Sequence, residues 1–139
     1  MSILDFLRAA GAILPDVNFK TADWAIYVND AAGIVTDEDE IEQTMILICS
    51  TAIGSDPLRP EFGCAFLPVL DMPMNRAAPL LVARITNALA TWERRIQVLS
   101  TVVAADIQGI LRVTVIWQRA NATTVGTAGA IRTISFALK

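Results

Sequence analysis

The sequence contains carboxylates that could perform acid–base chemistry, but it has no histidine. Without histidine, Ser-His-Asp and Cys-His nucleophiles are excluded, whereas a glycoside hydrolase needs only two carboxyl groups about 5–9.5 Å apart. The candidate acids are Asp37, Glu38, Asp39, Glu40 and Glu61. The first four crowd the predicted beginning of a helix, where capping and the helix dipole favour negative charge. We therefore interpret them as helix-stabilising residues and expect no enzymatic activity.

The two cysteines, Cys49 and Cys64, are the next candidates for chemistry. They lie in different predicted elements and have no C-x-x-C spacing, so we interpret both as reduced thiols, at least one of them in the core. The usual imidazole zinc sites are excluded with histidine. We expect no metal and no other cofactor.

Charge and hydropathy narrow the range of partners. The net charge is −3, and the arginines are scattered or paired with acids, so no basic stripe predicts nucleic-acid binding. No apolar run approaches the roughly 18 residues of a membrane span, and the N-terminus does not resemble a secretory signal. We expect residence in the cytoplasm. The hydrophobic fraction of 54% predicts that some apolar surface is covered by other subunits.

A cluster of charge surrounds a large aromatic residue at the end of the longest helical pattern. The segment is Thr91-Trp92-Glu93-Arg94-Arg95, and the residues after it follow a strand period. It is either an ordinary solvated helix end, with arginine near the negative end of the dipole, or a surface that holds a partner. The residues alone favour the solvated end.

Periodicity predicts the elements that position this cluster. Helices are expected at 1–14, at 37–52 and from 75 to 92 or 94, with a helical turn within 64–70. Because Pro79 is best tolerated in a first turn, the long helix could begin as late as Ala78. Its predicted inner face consists of Leu81, Ile85, Ala88, Leu89 and Trp92. Strands are expected at 24–28, 96–103, 111–118 and 131–138, with a short extended piece at 33–35 and a loop at 121–129.

The segment 54–63 is predicted to be a structured loop. Pro57 and Pro60 exclude a helix or a central strand, and apolar Leu58 and Phe62 on either side of Arg59 can anchor it. Phe62 could pack the loop onto the core while Arg59 satisfies loop carbonyls, or both could contact a partner. The two interpretations are held equal.

The loop 54–63 and the segment Trp92-Glu93-Arg94-Arg95-Ile96, joined by a long helix, resemble the gene-25-like (gpW-type) baseplate wedge family of contractile phage tails. The version in Mu-like phages is the most similar, and TssE of type VI secretion is related. The family's Glu-Pro-Arg signature falls on Glu93, Arg94 and Arg95, with Arg94 in place of the proline. The resemblance begins near Gly33, which makes residues 1–32 a less certain N-terminal extension of a single domain, 1–139.

The resemblance implies an α+β fold, with two main helices packed on a mostly antiparallel sheet that ends in a C-terminal β-hairpin. It also implies a structural subunit of the virion baseplate, assembled in the bacterial cytoplasm, that docks on the core bundle of neighbouring wedge proteins and starts the sheath by strand addition. Tube or hub proteins are further partners. The implied docking residues are Glu93 and Arg95, with Trp92 as a buried anchor, together with Arg94, Arg59 and Phe62. A lysozyme-like hydrolase and a binding adaptor outside any tail are the alternatives.

Overall fold

The computed structural model describes residues 23–28, 33–107, 109–120 and 130–138. The chain divides into two compact units, residues 1–41 and 42–139. The predicted α+β class is confirmed, whereas the predicted helix at 1–14 and loop at 121–129 lie outside the described residues. The elements are β1 (Trp24–Ile26), β2 (Ile34–Thr36), α1 (Asp37–Ser50), α2 (Leu67–Leu70), α3 (Met74–Trp92), β3 (Ile96–Ala105), β4 (Leu111–Arg119) and β5 (Arg132–Leu138).

In the first unit, β1 and β2 form an antiparallel pair in which Ala25 lies opposite Val35. The first strand is shorter than the predicted 24–28, because strand pairing ends at Ile26; beyond it, the Tyr27 N–H donates to the Gly33 carbonyl at 2.9 Å. Thr36, the residue directly before α1, belongs to β2.

Helix α1 begins with four acids, as predicted, and buries one apolar stripe. Asp37, Glu38, Asp39 and Glu40 occupy its first turn, and Ile41, Met45 and Ile48 are buried. The helix ends at Ser50 and not at the predicted residue 52. The Ser50 and Thr51 hydroxyls both donate to the Leu47 carbonyl, at 3.3 and 2.6 Å, and thereby compete with helix continuation.

Helix α3 is the longest element and begins earlier than predicted. It starts at Met74, because the Pro73 carbonyl accepts the N–H groups of Arg76 and Ala77 and organises the first turn. Pro79 therefore lies inside the helix and not in its first turn, which removes only the bond to the carbonyl four residues earlier. The predicted inner face is buried at Leu81, Ile85, Ala88 and Leu89. None of the helices in the described ranges is long and apolar enough to cross a membrane.

The second unit contains a three-stranded antiparallel sheet in the order β3-β4-β5, so β4 is central and β3 and β5 are the edges. The predicted C-terminal pairing of β4 with β5 is confirmed. The inner face is apolar, and its buried members are Val113, Val115, Trp117, Ile134, Phe136 and Leu138. Helix α3 runs along β3, where the Thr86 and Thr101 hydroxyls lie 3.3 Å apart. The β3–β4 register shifts between Val98 and Ser100, which marks a bulge at Leu99.

Candidate docking site at the end of the long helix

The loop at 54–63 is held in one conformation by the backbone that follows α1. The Thr51 carbonyl accepts the Cys64 N–H at 2.8 Å, and the Gly54 N–H donates to the Pro60 carbonyl, also at 2.8 Å. Gly63, at φ 110°, passes so close to Thr51 that a Cβ atom would lie 2.2 Å from the Thr51 oxygen. The loop is therefore structured, as predicted, and its base depends on a glycine.

Asp56 arranges the tip of this loop. Its carboxylate accepts the Leu58 N–H at 2.9 Å and the Arg59 Nε–H at 3.4 Å. The bond from the Leu58 amide is the main reason why the pKa of Asp56 is lowered, and the bonds from Arg59 lower it further. Leu58 is 91% exposed at the tip of this turn.

Stacked side chains connect the loop to the end of α3. The Arg59 guanidinium lies 4.5 Å from the centroid of the Phe62 ring, and the Phe62 and Trp92 rings meet edge to face, 5.2 Å apart at an interplanar angle of 69°. The structure thus brings together the two segments that the sequence singled out. Phe62 is buried, whereas Trp92 is only half-buried and not the buried anchor that was expected.

At the helix end, Glu93 and Arg95 form a two-point ion pair. Glu93 is only 3% exposed, and its Oε1 and Oε2 atoms accept the Nε–H and Nη2–H groups of Arg95 at 2.8 and 2.6 Å. The Arg95 backbone N–H also donates to Glu93 Oε1, at 3.1 Å. In a continuing helix this N–H would bind the Thr91 carbonyl, so the Glu93 side chain replaces a helical hydrogen bond at the point where α3 ends.

Arg94 lies apart from the other residues of this cluster. It is exposed and lines a groove of about 390 Å³ between α3 and β3, together with Thr86, Ala90, Ile96, Gln97 and Val98. We call this the β3 groove. Trp92, in contrast, lines a groove of about 480 Å³ between α3 and the loop, together with Ile53, Glu61, Gly63, Cys64, Ala65, Arg84, Asn87, Ala88 and Thr91. We call this the loop groove.

The loop groove contains one functional candidate that the sequence did not indicate. The Arg84 guanidinium donates to the Ala65 carbonyl and thereby joins α3 to the segment after the loop. Arg84 belongs to no recognisable sequence motif. The one sequence signal for it is its predicted position on the polar side of α3. Glu61 is exposed at this groove. Within the part of the chain that the structure describes, no cluster of three or more acidic, cysteine or histidine residues could hold a metal ion.

Comparison with known proteins identifies the family. The family described as baseplate wedge protein gp25 matches residues 35–121, which is more than half of the chain. The chain belongs to this family. The matched segment contains the loop at 54–63, helix α3 and the Glu93–Arg95 pair, so the gp25 family resemblance in the sequence is confirmed.

Two solved structures share the fold of this gp25 family member. A protein of Geobacter sulfurreducens, whose name assigns it provisionally as a tail lysozyme, is 24% identical with a TM-score of 0.61; the match covers 83% of this chain and 97% of that protein. A component of the baseplate complex of a type VI secretion system is 15% identical with a TM-score of 0.54, over 71% and 91% of the two chains. Among curated proteins, none matches the sequence. Membership in the gp25 family makes this chain a baseplate protein of a contractile tail or a related secretion baseplate.

Proposed function

We propose that this protein is a structural wedge subunit that docks on the helical core bundle of neighbouring baseplate proteins through the end of α3 and starts the sheath by strand addition. It acts without catalysis, within a tail baseplate assembled in the bacterial cytoplasm. Its partners are the other wedge proteins, the sheath subunit, and tube or hub proteins that adjoin the same ring.

The observation that carries the docking proposal is the two-point ion pair between Glu93 and Arg95. Charged side chains at a solvated helix end are normally mobile, and ion pairs between them contribute little to stability. Here the Glu93 side chain is 4% exposed and the Arg95 side chain 37% exposed, and two side-chain hydrogen bonds hold the guanidinium against the carboxylate. Arg95 is thus held in one orientation before a partner arrives, which lowers the entropy lost on binding. In this proposal Glu93 positions Arg95, and Arg95 contacts the partner.

The stacked side chains beside this pair extend the docking surface. Arg59, Phe62 and Trp92 form a continuous layer that includes an arginine and an aromatic residue at the surface, which are residue types enriched in binding hot spots. Because the loop is held by Gly63 and Asp56, the exposed Leu58 is presented on a rigid support. A partner that covers this surface buries apolar area without having to order the loop.

Strand addition is supported by the open architecture of the sheet. An edge strand has N–H and C=O groups that no neighbouring strand satisfies, and an extended arm of another protein can pair with them. In the described sheet, β3 and β5 each have one strand neighbour, and only β4 has two. An arm of the sheath subunit would complete the pairing of one edge.

Co-purification with the wedge proteins of the same tail tests the docking proposal. We expect Arg95→Ala and Glu93→Ala to remain folded, as judged by circular dichroism, but to lose wedge co-assembly. Arg76→Ala, which removes an exposed arginine at the other end of α3, is the matched control and should co-purify normally. Normal co-purification of the Arg95 and Glu93 variants would contradict the proposal. Clearing of cell walls by the purified protein, if abolished by Glu61→Gln, would instead favour a hydrolase.

A further inference from the structure

The two edge strands of the three-stranded sheet differ in how well they are protected against pairing with another strand. Strand β5 has seven residues, and its first, Arg132, forms an ion pair with Glu42 of α1 at 3.0 Å. Strand β3 has ten residues and contains neither a charged residue nor a proline. Charges, prolines and bulges are the usual means by which proteins prevent unwanted pairing at an edge, and the bulge of β3 at Leu99 still leaves the stretch Ser100–Ala105 regular and uncharged. Strand β3 is therefore the less protected edge.

The β3 groove has the form that an added strand requires. One wall is formed by Thr86 and Ala90, which lie four residues apart on α3, and by Arg94, which follows the end of the helix; the other wall is the beginning of β3. An extended chain paired with β3 would direct alternate side chains toward α3. The small Ala90 side chain leaves room for them, and the groove volume of about 390 Å³ accommodates several.

Arg94 determines which kind of partner side chain the β3 groove favours. It is exposed, and no residue of the described ranges forms an ion pair with it. The other residues that line the groove are uncharged. A guanidinium beside an apolar channel favours a carboxylate, which it can bind through two parallel hydrogen bonds.

We propose that β3 is the edge that accepts the incoming sheath strand, and that Arg94 binds an aspartate or glutamate side chain of that strand. This inference rests on the proposed function and specifies its site and its recognition chemistry. The bulge at Leu99 separates two parts of the edge. Ser100–Ala105 keeps a regular register with β4 and provides main-chain pairing, whereas Ile96–Val98 lies beside Arg94 and provides the acidic contact.

A proline scan along both edges tests the choice of strand. Proline is introduced singly at Ser100, Thr101, Val102 and Val103 of β3, and at Thr133, Ile134 and Ser135 of β5. An edge strand tolerates proline at positions whose N–H points away from the neighbouring strand, because no hydrogen bond within the sheet is lost there. Variants that keep the wild-type melting temperature therefore remove only the N–H groups that an added strand would use. They are incorporated into baseplates and mixed with purified sheath protein of the same tail. We expect the folded β3 variants to lose sheath initiation, scored by electron microscopy, and the folded β5 variants to retain it.

Charge reversal tests the role of Arg94. We expect Arg94→Glu to weaken binding of the sheath protein by about tenfold or more, and Arg94→Lys to weaken it less. Arg76→Glu makes the same change of charge at an exposed position on the first turn of α3 and should have no effect. An acid-to-arginine variant of the sheath strand should restore binding to Arg94→Glu.

The outcomes separate this inference from the proposed function. If the β5 variants block initiation and the β3 variants do not, strand addition stands and the choice of β3 is overturned. If Arg94→Glu binds sheath protein as the wild type does, the acidic contact is overturned. If folded variants of both edges initiate sheath normally, sheath initiation by strand addition itself is overturned.

Discussion

A Cβ atom on Gly63 would lie 2.2 Å from the carbonyl oxygen of Thr51, a separation at which the two atoms cannot coexist. The same carbonyl accepts the Cys64 N–H, so it cannot move away without loss of a hydrogen bond. The loop that carries Arg59 and Phe62 is thus fixed at its base by backbone contact alone.

Gly63→Ala should destabilise the protein by about 2–5 kcal/mol, because the clash adds to the cost of a positive φ. Gly54→Ala is the matched control, since Gly54 also has a positive φ, 86°, but nothing lies within 4 Å of its Cβ position. It should lose only about 1–2 kcal/mol. Urea denaturation measures both. Equal losses would show that the contact with Thr51 has no energetic weight.

The Phe62–Trp92 ring pair should show a coupling energy. Phe62→Leu and Trp92→Leu each remove the edge-to-face contact, so their combined loss of stability should fall short of the sum by about 0.5–1.5 kcal/mol. A double-mutant cycle in urea measures this. Phe62→Leu combined with Ile107→Ala, at the fully exposed turn after β3, should be additive. Additivity in both cycles would contradict a stabilising ring contact.

Removing the partner of the buried Glu93 carboxylate should be costly. Arg95→Ala leaves this carboxylate without its fork and should reduce the free energy of unfolding by about 1–3 kcal/mol. Glu93→Gln in the Arg95→Ala background should recover part of the loss, because an amide is less costly to bury than an unpaired charge. Arg59→Ala, which removes the exposed pair with Asp56, should shift the urea midpoint far less. A loss in Arg95→Ala no larger than in Arg59→Ala would contradict a structural role for the fork.

Cys49 should be chemically inert in the folded protein. Burial, and secondarily the neighbouring Cys64, raise the pKa of Cys49 from 9.0 to about 12, so the reactive thiolate is scarce at pH 8. Iodoacetamide should modify it only after denaturation. Above pH 9 the thiol ionises in the unfolded chain but not in the folded one, so this group makes stability fall between pH 9 and about 12. Cys49→Ala should flatten that fall, and an unchanged pH dependence would contradict the assignment.

The sequence predicted what depends on periodicity and missed what depends on contacts between distant residues. The apolar spacing of Leu81, Ile85 and Leu89 identified the core face of α3, and alternation identified the strands. The predicted start of α3 at residue 75 is one residue from the observed Met74, whereas the alternative start at Ala78, which rested on Pro79, is wrong because the Pro73 carbonyl organises the first turn.

At the candidate site, too, the sequence predicted part of what the structure shows and missed the contacts between side chains. Its residues were found through the family motif, but their geometry was not. Nothing in the sequence indicates that Glu93 is buried against Arg95, since acids at a helix end usually face water. Arg94 and Trp92 lie in different grooves. The reason is that two residues of chain at the end of α3 turn about halfway around the helix axis.

The two grooves open on different faces of α3, a 19-residue helix packed along the sheet. Under the proposed function, the core bundle holds one face of this continuous helix and the first sheath strand lies against another. The subunit would then act as a rigid adaptor, so that its orientation on the wedge determines the orientation of the first sheath strand. An angular error in seating on the wedge would be passed undiminished to the first sheath ring, and the rotational order of the baseplate would become that of the sheath.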